Sequence, residues 1–76
     1  MIPKSKAQAG WRLLNEAILD LLANHPNGLG NAEIADQLEI RSNYLGKSKD
    51  FLSWSLLGML LNEEKIVRDG KKYRLP

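Results

Sequence analysis

The sequence predicts a mainly α chain that closes on a small β-hairpin, an α+β class built on three helices. Three observations carry that prediction. Apolar residues recur at helical spacing from Trp11 to Leu22, and a second set follows at Ile34, Ala35 and Leu38. Finally, "IVRDGKKYRL" at 66–75 holds an Asp-Gly pair between β-branched and aromatic flanks. With 76 residues the chain is expected to form one domain over 1–76, with a marginal core that depends on efficient packing. There is no cysteine, so no disulfide or zinc-thiolate site can reinforce that core.

The first helix is expected to start at Ser5, with Gln8 completing a capping box, and to bury Trp11, Leu14, Ile18, Leu21 and Leu22 along one stripe. "NHPNGLG" ends it, because Pro26 cannot continue a helix and Asn27-Gly28 favours a turn; a short strand is expected near Leu29. Asn31 is the expected N-cap of a second, short helix, with Glu33 suited to its first turn and Ile34, Ala35 and Leu38 facing inward. A polar loop, "RSNYLGKSKD", follows. The third helix is expected from Lys49 or Asp50 to Asn62, capped by Asp50. Leu52, Leu56, Leu57, Leu60 and Leu61 cover most of its circumference, so it should be buried on nearly all sides. Only a narrow, uncharged strip lined by Phe51, Ser55, Gly58 and Asn62 is left outside.

Asp-Gly is a strong signal for a two-residue hairpin loop, because both positions of such a loop take positive φ. With Asp69-Gly70 as the loop, Arg68 pairs with Lys71 and Ile66 with Tyr73. Ile66, Tyr73 and Leu75 then share the core face, Lys65, Val67, Lys72 and Arg74 point away, and Arg68 and Lys71 sit at the tip.

Charge is unevenly distributed. Residues 1–40 hold three bases and five acids, whereas residues 41–76 hold eight bases and four acids, within a net charge of +2. That polarity suits one face turned toward a polyanion. Catalysis has little to stand on: His25 has no second His and no Cys as partner, and Glu63 and Glu64 are adjacent, so on a helix they do not face one another. "NGLGN" lacks the Lys and the strand that a phosphate-cradling loop needs. The expectation is a protein that is not an enzyme and uses no cofactor or metal. "LLGMLL" at 56–61 is too short to cross a bilayer, and Asn15, Glu16 and Asp20 interrupt any signal-peptide pattern after the basic start. A soluble, cytoplasmic protein without a membrane partner is expected.

"GLGNAEIADQLEI" resembles the first two elements of a helix-turn-helix. "LLGMLLNEEKIVRDGKKYRL" is similar to the end of a winged-helix domain, with a leucine-bearing third helix, an Arg, a Gly turn and an aromatic return strand. Glu39 stands where such motifs usually have Gly, and Glu64 or Lys65 where a Gly commonly precedes the wing. More loosely, the second half resembles winged-helix modules attached to bacterial restriction enzymes and related prokaryotic regulators. The resemblance implies a three-helix winged helix-turn-helix that binds double-stranded DNA, as a transcription regulator or the DNA-reading module of a nuclease system.

The residues themselves suit that partner. Phosphates are contacted by Lys, Arg, Ser, Asn and Tyr side chains and by helix N-termini. Arg41, Ser42, Asn43, Tyr44, Lys47 and Lys49 offer these groups just before the third helix, Ser55 lies on its open strip, and Arg68, Lys71, Lys72 and Arg74 lie on the wing. The alternatives are a solvated loop and cations that only protect a sheet edge. Trp54, Met59 and Trp11 serve either as docking platforms or as side chains packed at the core margin. A rival function follows: a protein-interaction winged helix, a homodimer or a module for a larger protein partner, using Phe51, Trp54, Ser55, Gly58 and Met59.

Overall fold

The computed structural model describes residues 2–44 and 47–76, and for residues 43, 44 and 47–49 the course of the backbone alone. Three helices and two hairpins follow in the order α1 (Pro3–Ala23), α2 (Asn31–Gln37), β1 (Ser42–Tyr44), β2 (Lys47–Lys49), α3 (Phe51–Asn62), β3 (Val67–Asp69) and β4 (Lys72–Arg74). Helix α1 starts earlier than the Ser5–Gln8 pair predicts. Pro3 occupies its first turn, where a fixed φ and a missing N–H do no harm, and no side chain caps the start. Ile18 and Leu22 of the predicted stripe are buried, Leu14 and Leu21 pack beside them, and Trp11 stays at the margin, 37% exposed.

The turn after α1 explains why the chain can double back so tightly. The Gly28 N–H donates to the His25 carbonyl at 2.8 Å, closing a turn with Pro26 and Asn27 at its centre. Gly28 itself takes φ +87°, and a Cβ there would lie 2.8 Å from the Tyr73 carbonyl oxygen. No other residue fits.

Gly30, one residue before the expected Asn31, is the N-cap of α2, and the Glu33 carboxylate accepts a hydrogen bond from its N–H at 3.0 Å. Asn31 is released for another task. Its Oδ1 accepts from the buried Ser53 hydroxyl at 2.6 Å and its Nδ2 donates to the Asp50 carbonyl at 3.3 Å, so the start of α2 is tied to the start of α3. Helices α2 and α3 end alike. Ile40 N–H reaches the Ala35 carbonyl and Glu39 N–H the Asp36 carbonyl, while Lys65 N–H reaches the Leu60 carbonyl and Glu64 N–H the Leu61 carbonyl. These are paired Schellman bonds, and they put Glu39 and Glu64 at φ 55° and 60°, the left-handed position that glycine usually fills.

The polar stretch after α2 differs from the loop expected there. It forms a second antiparallel hairpin, with Ser42 opposite Lys49, Asn43 opposite Ser48 and Tyr44 opposite Lys47.

The C-terminal hairpin forms as predicted, but its register is shifted. Val67 pairs with Arg74, Arg68 with Tyr73 and Asp69 with Lys72, so the loop is Gly70-Lys71 and not Asp69-Gly70. Gly70 has φ +65° at the first loop position, the placement a type II′ turn asks of glycine. The reason for the shift is Leu29, whose N–H and carbonyl bond the Tyr73 carbonyl and N–H at 2.9 and 2.8 Å. Along an antiparallel strand, both polar groups of one residue point to the same neighbour. Tyr73 gives both to Leu29 and has none for β3, whereas the register with Ile66 opposite Tyr73 would require them. Leu29, β4 and β3 thus lie side by side in that order, and α1 and α3 pack beneath.

The core gathers Ile18 and Leu22 of α1, Leu29, Ile34 of α2, Leu56, Leu57 and Leu60 of α3, then Ile66 and Tyr73 of the hairpin. Helix α3 departs most from expectation. Only Ser53, Leu56, Leu57 and Leu60 are buried, a single stripe at i, i+3, i+4 and i+7. Leu52 stands 39% exposed, while α1 and α2 pack against α3.

Candidate functional site

The predicted contact residues divide by what already holds them. Arg41 is engaged: its Nη1 donates to Asp36 Oδ1 at 3.0 Å, and its Nε lies 2.8 Å from Asp50 Oδ1. The hydrogen bond to Asp36 and the charge of Asp50 hold this guanidinium above even its ordinary high pKa. Arg41 therefore bridges the end of α2 to the cap of α3, and a phosphate must compete with two carboxylates to engage it. Asp50 does sit at the N-cap position, but its side chain serves Arg41 and makes no cap bond.

Two wing cations are also partly engaged. Arg68 faces Tyr73 across the ladder, its guanidinium carbon 5.7 Å from the ring centroid and its Nε donating to the Gly70 carbonyl at 3.0 Å. It is not the tip residue that the Asp69-Gly70 loop implied. Arg74 donates to the Leu75 carbonyl and lies 3.8 Å from Asp69 across the strand pair. Lys65, read as pointing outward, pairs with Glu63 at 3.1 Å.

Lys71 and Lys72 are different. Both are exposed at the turn of the wing, and no ion pair among the described residues involves either. Ser42 opens β1 and is exposed. Lys47 and Lys49 occupy alternate positions of β2. The side chains of Asn43, Tyr44, Lys47 and Lys49 lie outside what is described, as do residues 45 and 46 altogether.

Ser55 is exposed on the outer side of α3, where the expected narrow strip proves broad and apolar. Phe51 and Trp54 are 64% and 63% exposed and Met59 is 41% exposed, with Gly58 between them. Nothing lies within 4 Å of a Cβ built at Gly58. Between this side of α3 and the C-terminal hairpin runs an open groove of about 550 Å³, lined by Trp54, Ser55, Gly58, Met59 and Asn62 on the helix and by Arg68 and Tyr73 on the hairpin. Trp54 thus stands clear of the core, and Met59 is exposed to about the same degree as Trp11. Helical spacing could have marked them as outer residues, but five leucines on one short helix concealed how little would cover it.

No helix among the described residues is long and apolar enough to cross a membrane. Compared with protein-family models, with curated proteins and with solved structures, the chain finds no match.

Proposed function

We propose that the chain is a winged-helix module that binds double-stranded DNA, holding phosphates with its two basic hairpins and reading few bases. The supporting observation is the turn of the C-terminal hairpin, where Lys71 and Lys72 stand exposed and enter no ion pair among the described residues. The element order adds to it: a helix, a bridge at Leu29, a helix, the β1–β2 hairpin, a third helix and a last hairpin that pairs back onto that bridge. So do Glu39 and Glu64, which hold left-handed backbone where winged-helix sequences usually have glycine. Base reading has less support, since α3 from Phe51 to Asn62 bears no charge and only Ser55 and Asn62 offer polar groups on its exposed side.

The test is duplex affinity measured as a function of salt. Each neutralised phosphate contributes about 0.9 to the slope of log K against log salt. Lys71→Ala with Lys72→Ala is therefore expected to lower that slope by about two and to weaken binding evenly across unrelated sequences. A wild-type affinity indifferent to salt, or a slope unchanged in the double variant, would remove the hairpins from DNA binding.

A second reading, a protein-interaction module, is favoured by one observation: the outer side of α3 presents Phe51, Trp54 and Met59 where a groove-reading helix carries donors.

A further inference from the structure

The groove between α3 and the wing has two chemically distinct walls. The helix wall is uncharged and mostly apolar, with Ser55 and Asn62 as its polar groups and Gly58 leaving a gap between Trp54 and Met59. The wing wall is cationic. Arg68 uses Nε on the Gly70 carbonyl, while no hydrogen bond or ion pair among the described residues occupies its Nη groups. The charge of this wall in the groove is that of Arg68 alone, since Lys72 alternates to the other face of the hairpin.

These walls discriminate among occupants. Duplex DNA would satisfy Arg68 but lay phosphates and sugars over an indole and a thioether that offer them no donor. A second copy would cover the apolar wall, yet Phe51–Asn62 contains no acid, so the same face of a partner copy brings nothing to Arg68. What complements both walls is a segment that is apolar on one side and acidic on its flank. An amphipathic helix is such a segment, since it lays anchors at i, i+3 and i+4 into a groove and keeps its charges at the rim. An Arg that meets a carboxylate there makes a charge-assisted, bidentate-capable contact.

We propose that the groove between α3 and the wing docks a short amphipathic helix of a partner protein, with apolar anchors against Trp54, Gly58 and Met59 and a carboxylate on Arg68. This inference rests on the second reading above and not on DNA binding.

The experiment is an amide and indole NMR titration of the whole chain with synthetic amphipathic helices carrying Leu and Phe anchors and flanking Glu, alongside copies with Gln in place of Glu. Saturable shifts at the Trp54 indole and the Gly58 amide are expected, with the Gln copies binding about tenfold more weakly, as loss of one charged hydrogen bond implies. Gly58→Leu, whose side chain enters open space, should keep the fold, abolish peptide binding and leave the salt-dependent DNA affinity unchanged. Conversely, the Lys71→Ala, Lys72→Ala variant should retain peptide binding through Arg68.

The proposal is overturned by the absence of saturable shifts with every peptide, or by equal binding of Glu and Gln copies. Shifts at Trp54 and Gly58 that grow with protein concentration alone would assign the groove to a second copy. The same residues shifting with duplex DNA would assign it to nucleic acid.

Discussion

Glu39 and Glu64 show how much backbone chemistry a single position can carry. Each closes a helix with Schellman bonds at a positive φ, a conformation that costs a residue with a Cβ roughly 1–2 kcal/mol. Neither side chain is needed for the bonds, which are all main chain. Glu39→Gly and Glu64→Gly are each expected to raise stability by about 0.5–1 kcal/mol, because relief of the strain exceeds the added flexibility of the unfolded chain. Urea unfolding of the two single variants and the pair would check this, and a loss of stability in both would refute the assignment. The resemblance marked Glu39, and Glu64 or Lys65, as places where glycine is usual, but not that the left-handed turn persists without it at Glu39 and Glu64. Arg41 was similarly half legible. Its charge could be read directly, whereas its capture by Asp36 and Asp50 depends on how α2 and α3 meet.

At the scale of elements, the C-terminal hairpin was legible in its faces and not in its register. Asp-Gly announced a hairpin, and alternation alone sends Ile66, Tyr73 and Leu75 to one side. The observed register moves each partner by two positions and so preserves that side, with Ile66 and Tyr73 buried as expected. What local sequence lacked was Leu29, whose claim on both polar groups of Tyr73 sets the pairing. Gly28 permits that claim, as its missing Cβ lets the Tyr73 carbonyl approach. Gly28→Ala is accordingly expected to destabilise the fold by about 2–4 kcal/mol, from positive-φ strain together with the forced retreat of β4. Thermal unfolding would give the magnitude, and the Leu29 and Tyr73 amide shifts should move more than those of α2. The hairpin β1–β2 was missed for a different reason: its flanks, Ser-Asn-Tyr and Lys-Ser-Lys, are polar and carry little strand preference.

At the scale of the whole molecule, three helices and a ladder this small can enclose only one core, and α3 contributes one stripe to it. Its remaining leucines, Leu52 and Leu61, were read as covered because composition reports apolarity and not coverage. The exposed face follows from geometry: α1 and α2 occupy one side of α3 and the groove opens on another. Trp54→Gln with Met59→Gln should therefore change unfolding free energy by no more than about 0.5 kcal/mol each, as exposed sites generally do. Urea unfolding of the two single variants and the pair would check this. A large stability loss in this pair would mean that the side chains belong to the core after all.

The bridge between Leu29 and Tyr73 also bears on the order of folding. It joins a residue just before α2 to one near the end of the chain, so its closure spans most of the sequence and carries a large loop entropy. Little of that entropy is recovered until α1, α2 and α3 have gathered the side chains on which the strand rests. The C-terminal hairpin is thus expected to form late, fastened to structure that is already assembled.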